Sequence, residues 1–171
     1  MAAGCGAARR TGAARAALLA TVAVSVALRV AAAQGVRELG AQAVVTTADP
    51  VLAAAGLYAA VRPSLRTRIA LTAVAGPTLS AGTGGDVAGR AELLGHFLLA
   101  PTVARHAGVY VGGGLAGVVG PADRAVLVLV AGLEQRPGAP AGWALELGVG
   151  GGIRIAAGYR WRRFPAGWPR K

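Results

Sequence analysis

Apolar and polar positions alternate with a two-residue period over much of this chain. In "GRAELLGHFLLA", residues 89–100, Ala91, Leu93, Gly95, Phe97 and Leu99 share one parity, while Arg90, Glu92, Leu94, His96 and Leu98 share the other. In "GWALELGV", Trp143, Leu145, Leu147 and Val149 oppose Ala144, Glu146 and Gly148; in "TRIALTAVAG", Ile69, Leu71 and Ala73 oppose Arg68, Ala70 and Thr72. Successive side chains of a strand point to opposite faces, so each segment builds one wholly apolar face. The alternation is weaker in 36–47, 51–62 and 124–134, and "AVLVLVAG" at 125–132 is apolar on both faces.

Turn signals cut this pattern into segments of strand length. The predicted strands are 36–47, 51–62, 67–76, 89–100, 108–118, 124–134, 142–149 and 153–162. They are separated by "ADP", "PSLR", "GPTLSAGTGGD", "APTVARHAG", "GPAD", "QRPGAPA" and "GGG". Segments of about 9–11 residues suit a tilted strand crossing a bilayer. Eight is an even number, as bacterial membrane barrels require. A helical membrane protein needs apolar runs of about 18 residues. After residue 33 there is none, since Pro121, Asp123 and Arg124 break the best one, 108–133.

Residues 1–33 have the form of a secretory signal peptide. Arg9, Arg10 and Arg15 precede the apolar core "AALLATVAVSVAL", and "AAA" at 31–33 supplies small residues for cleavage. Cys5, the one cysteine, falls in this segment, so the exported chain has no thiol for a disulfide or a metal. Cleavage leaves 138 residues with 14 basic and seven acidic side chains. Domain organisation is then a signal peptide (1–33), a barrel (34–164) and a short basic tail (165–171). Neither a cofactor nor a metal is expected.

"IRIAAGYRWRRF", residues 153–164, alternates throughout: Ile153, Ile155, Ala157, Tyr159 and Trp161 against Arg154, Ala156, Gly158, Arg160 and Arg162. This resembles the closing strand of small bacterial outer-membrane β-barrel proteins, the OmpA/OmpX-like eight-stranded barrels. In that family the last strand ends in an aromatic and acts as an assembly signal. Here Trp161 takes the place of the final aromatic, although Phe164 has the other parity and ten residues follow Trp161. The resemblance is one of architecture over the exported chain. It implies an all-β, eight-stranded antiparallel up-and-down transmembrane barrel in the bacterial outer membrane, with the lipid bilayer and the barrel-assembly machinery as partners. The alternative is an exported periplasmic all-β binding module.

On this reading Trp143, Tyr159 and Trp161 sit at the membrane interface, where amphipathic rings are favoured. Glu38, Arg90, Glu92, His96, Glu146, Arg154 and Arg160 line a lumen just wide enough to be filled by side chains, and its charges have to pair. Arg162, Arg163, Arg170 and Lys171, beyond the aromatic boundary, are expected to meet anionic headgroups.

Other chemistry is excluded by spacing. Glu92 and His96, four residues apart on one strand face, lie roughly 13 Å apart and form no acid–base pair. Exported serines are few, Ser64 and Ser80, and neither is near His96 in sequence, so no enzyme is expected. Gly112, Gly114 and Gly117 match G-x-G-x-x-G with an acid at Glu134. Too few residues separate them from the next strand for a crossover helix, and Pro121 lies among those, so no nucleotide is expected. Export and apolar outer faces likewise argue against nucleic acid.

Overall fold

Strict alternation leaves a sheet two ways to hide its apolar faces, stacking on a second sheet or closing on itself with the outer face in lipid. In the computed structural model, which describes residues 35–79, 86–120 and 123–169, the sheet closes. Eight antiparallel strands follow one another round a single barrel: β1 (Val36–Thr46), β2 (Val51–Arg62), β3 (Thr67–Leu79), β4 (Val87–Leu98), β5 (Ala107–Val119), β6 (Arg124–Gln135), β7 (Ala141–Val149) and β8 (Ile153–Arg163). β8 completes the ring by pairing with β1, from Arg37↔Arg163 to Thr46↔Arg154. No strand is left with an open edge. The segment 1–33 lies outside the described residues, as do 170 and 171.

The strands match the expected segments, with shifts at their ends. The largest is at 77–79, expected as part of the turn, over which β3 continues. Pro77 pairs with Val87 at the exposed end of the β3–β4 ladder, and the Thr78 N–H donates to the Asp86 carbonyl at 2.7 Å. A proline is tolerated near a strand end where its missing N–H removes no essential ladder bond. The tight "GGG" turn stands: Gly151 and Gly152 have φ of +73° and +137°, conformations that L side chains rarely adopt. The glycine-rich stretch after Tyr110 lies within β5, which runs antiparallel to β6 with no helix between them.

One face of each strand is buried and the other exposed, and in β1 the alternation is complete. Leu39, Leu57, Ile69, Leu93, Leu115, Leu127, Leu145 and Ile155, one from each strand, are all exposed. The apolar surface therefore runs round the whole barrel. β6, apolar on both faces in sequence, turns Val128 and Val130 inward and Leu127 and Leu129 outward.

Inward side chains interlock by size. Tyr110 stands opposite Gly132, His96 opposite Gly112, Gln42 opposite Gly56 and Gly158, and Arg160 between Gly40 and Gly142. A Cβ on Gly132 would lie 2.6 Å from Tyr110 Cε2, so glycine is what leaves room for that ring. Gly132→Val should lower barrel stability by about 1–3 kcal/mol through overpacking. Gly117→Ala, whose Cβ meets nothing within 4 Å, should leave stability equal or slightly higher. Urea unfolding in micelles, followed by circular dichroism, reads both.

Candidate functional site

The lumen is where the chemistry of this chain collects. All four glutamates of the described residues, Glu38, Glu92, Glu134 and Glu146, point inward and are buried; the three aspartates, Asp49, Asp86 and Asp123, are exposed. Arg62, Arg68, Arg90, Arg154, Arg160 and Arg162 are buried with the glutamates, none more than 4% exposed.

These groups form one connected network in two parts. Towards the end of the barrel where β1 begins and β8 ends, four guanidiniums converge on Glu134. Arg62 and Arg162 approach its Oε1 at 2.6 and 2.8 Å. Arg68 pairs with Oε2 and Arg160 lies 3.3 Å from that oxygen. Glu38 takes a second hydrogen bond from Arg62 and one at 3.4 Å from the Tyr58 hydroxyl. Towards the other end, Glu92 receives Arg90 at 2.6 Å and Arg154 at 2.7 Å. Glu146 receives Arg154 at 2.8 Å and Arg160 at 2.7 Å. Arg160 thus joins the two parts. Its guanidinium also lies 4.3 Å from the Tyr58 ring centroid, and the Tyr110 hydroxyl donates to Glu146 at 2.7 Å.

The connection between β6 and β7 covers the Glu134 end of this network. Pro137 and Gly138 are buried there, and backbone carbonyls of the turn accept from the guanidiniums beneath. Arg62 donates to Pro137 O at 3.2 Å, and Arg162 to Arg136 O and Ala139 O at 3.4 and 3.1 Å. The turn is held in turn by the β4–β5 connection, through Arg136 N–H to His106 O and Gly138 N–H to Val103 O.

All seven residues expected in the lumen, Glu38, Arg90, Glu92, His96, Glu146, Arg154 and Arg160, are buried inside it. Glu92 and His96 have separate partners: Glu92 binds arginines, and His96 Nδ1 accepts from Arg68 Nε at 3.1 Å. Trp143, Tyr159 and Trp161 lie together outside, edge to face, with centroids 5.0 and 5.2 Å apart along the row.

Arg162 corrects the sequence reading. Expected at the headgroups, it is buried in the lumen and bound to Glu134, because it shares the inward parity of Arg160 and Arg154. Arg163, of the opposite parity, is exposed, and Arg170 and Lys171 lie outside the described residues. Missed altogether were Glu134, Arg62, Arg68, Tyr58 and Tyr110. Parity could have found Arg68, on the inward face of a strand that alternates well. Glu134 sits in the strand that is apolar on both faces, where parity says little.

Exposed charge is divided between the two ends. Arg37, Arg66, Arg105, Arg136 and Arg163 surround the end where β1 begins and β8 ends, and Asp49, Asp86 and Asp123 lie at the other. No group of three or more histidine, cysteine, aspartate or glutamate side chains suited to a metal occurs among the described residues.

Removing one partner of a buried ion pair strands the others. Glu134→Gln leaves four guanidiniums to share what it held and should cost about 3–5 kcal/mol of stability, whereas Asp49→Asn at the exposed turn should cost about zero. Equilibrium unfolding in micelles measures the difference.

No family model matches this chain, and no curated protein matches it. A solved structure does: the N-terminal β-barrel domain of OprF from Pseudomonas aeruginosa, with a TM-score of 0.52 and 14% sequence identity, over 76% of this chain and 100% of that one. The chain therefore has the fold of that domain, a closed eight-stranded antiparallel barrel, and the resemblance to the OmpA-like barrels holds at the level of architecture.

Proposed function

We propose that this chain is a small bacterial outer-membrane barrel, exported by residues 1–33, whose ion-paired lumen is a closed plug and whose role is structural or one of interaction. The observation that carries this reading is the apolar outer face. Soluble proteins rarely expose contiguous apolar patches of more than a few hundred square ångströms, yet every strand here exposes a large apolar side chain. A bilayer is the solvent that accepts such a surface, and a closed barrel satisfies the backbone within it. The OprF domain's architecture supports the same location.

Neither a pore nor an enzyme is part of this reading. Within the lumen the guanidiniums and carboxylates bind one another from strand to strand, and the β6–β7 turn covers one end. His96 is engaged by Arg68, and the hydroxyl of Ser64 accepts from the Thr67 N–H in the β2–β3 turn. β8, with its outward row ending in Trp161, is the segment we assign to the assembly machinery.

The test uses residues 34–171 refolded in detergent. The chain should give a β spectrum, migrate faster unboiled than boiled, and precipitate when detergent is removed. In planar bilayers it should give no steady step conductance. Protein that stays dispersed and folded without detergent would favour a periplasmic binding module instead, and a steady conductance would end the plug reading.

Anionic headgroups are the partner we assign to the basic end. Four exposed arginines there, Arg66, Arg105, Arg136 and Arg163, stand at the end where no exposed acidic side chain lies among the described residues. Each basic residue near an anionic surface contributes about 1 kcal/mol. Changing all four to glutamine should slow insertion into vesicles containing anionic lipid by at least tenfold and leave insertion into zwitterionic vesicles unchanged. Equal rates for wild type and variant in anionic vesicles would remove this assignment.

A further inference from the structure

The buried charge of the lumen does not balance. Six arginines face four glutamates, and no other acidic side chain among the described residues is buried. A guanidinium keeps its proton at any physiological pH, so the arginines cannot relieve the excess by titrating. Water can satisfy an N–H but brings no charge. Two positive charges therefore remain in a narrow interior, where uncompensated charge is expensive.

Of the eight buried side-chain atoms without a hydrogen-bond partner among the described residues, three belong to side chains packed round one ring; the others are on Thr46, Arg90, Arg124 and Arg162. Arg68 and Arg160 lie 4.4 and 5.5 Å from the centroid of the Tyr110 ring, and the His96 ring packs edge-on against it at 5.1 Å. Each of the three keeps a buried N–H or ring nitrogen with no partner: Arg68 Nη2, Arg160 Nε and His96 Nε2. Because His96 Nδ1 accepts from Arg68, its proton sits on Nε2, which makes that atom a donor as well. Three buried donors without a partner, two of them cationic, thus belong to side chains that pack against the Tyr110 ring. The residues are 0%, 1% and 3% exposed.

We propose that the lumen binds a small monovalent inorganic anion of the halide class beside Tyr110, held by Arg68, His96 and Arg160. A halide accepts from several N–H groups at once and offsets one of the two excess charges. An eight-stranded interior filled by side chains leaves no room for a large organic anion, which makes the site selective by size. This rests on the closed, charge-filled lumen and not on the membrane the barrel occupies.

The experiment takes residues 34–171 folded in an uncharged detergent at fixed ionic strength, with sodium gluconate replaced stepwise by sodium chloride. A ligand that binds only the folded state raises its stability with concentration. The midpoint of thermal unfolding should rise saturably, by several degrees, with chloride and bromide but not with gluconate. Arg68→Met removes one donor and one excess charge, while Glu134 keeps Arg62, Arg160 and Arg162. That variant should lose most of the chloride-dependent shift, whatever its own stability in gluconate. If it does not fold, crystals of the wild type grown with bromide decide the question: an anomalous peak within hydrogen-bonding distance of Arg68 and His96 is expected. A midpoint indifferent to the halide, or bromide found only on the outer surface, overturns the proposal. Loss of folding in detergent altogether would instead strike at the barrel reading above.

Discussion

A guanidinium cannot shed its charge, and a narrow barrel interior cannot solvate it freely. Six arginines placed on inward positions therefore oblige the rest of the lumen to answer them. Glu134 answers four at once, and Glu38, Glu92 and Glu146 take up the remaining pairings. These bonds run between strands distant in sequence: Arg154 of β8 to Glu92 of β4, and Arg68 of β3 to Glu134 of β6. The network thus ties opposite walls of the barrel together, in addition to the backbone ladder that joins each strand to its neighbours.

Such a network needs space, and the small residues supply it. Several long inward side chains have glycine or alanine as one cross-strand neighbour: Glu38 faces Ala60, Arg154 faces Gly148, Tyr110 faces Gly132. Gly112, Gly132 and Gly142, where a Cβ would meet His96, Tyr110 and Gln135 closely, supply part of that space. Outside, the same period places leucine, valine or isoleucine on every strand. Exposed charge distinguishes one end of the barrel from the other.

Most of the fold was legible because a period of two is a direct consequence of the pleat. Where alternation is clean, as in 89–100 and 142–149, sequence parity alone assigned Arg90, Glu92, His96 and Glu146 to the interior. It failed in two physical circumstances. In β6 both faces are apolar, since its inward side packs Val128 and Val130 against Leu94 and Ala116, and so Glu134 at its end went unrecognised. At Arg162 parity points inward while position past the last aromatic points to the headgroups, and face decides because the strand continues to Arg163. The charge imbalance was invisible for the same reason: it requires knowing that Arg62, Arg68 and Arg162 are all inside.

The central claim is that one face of each strand meets lipid and the other the narrow lumen, and β6 is where it is most exposed to error. Selectively methyl-labelled protein in lipid nanodiscs, examined for nuclear Overhauser contacts to acyl chains, measures the facing of each residue without mutation. Methyls of Leu127, Leu129 and Leu133 should contact acyl chains, while those of Val128 and Val130 between them should not. Contacts from both sets, or from neither, would contradict the account.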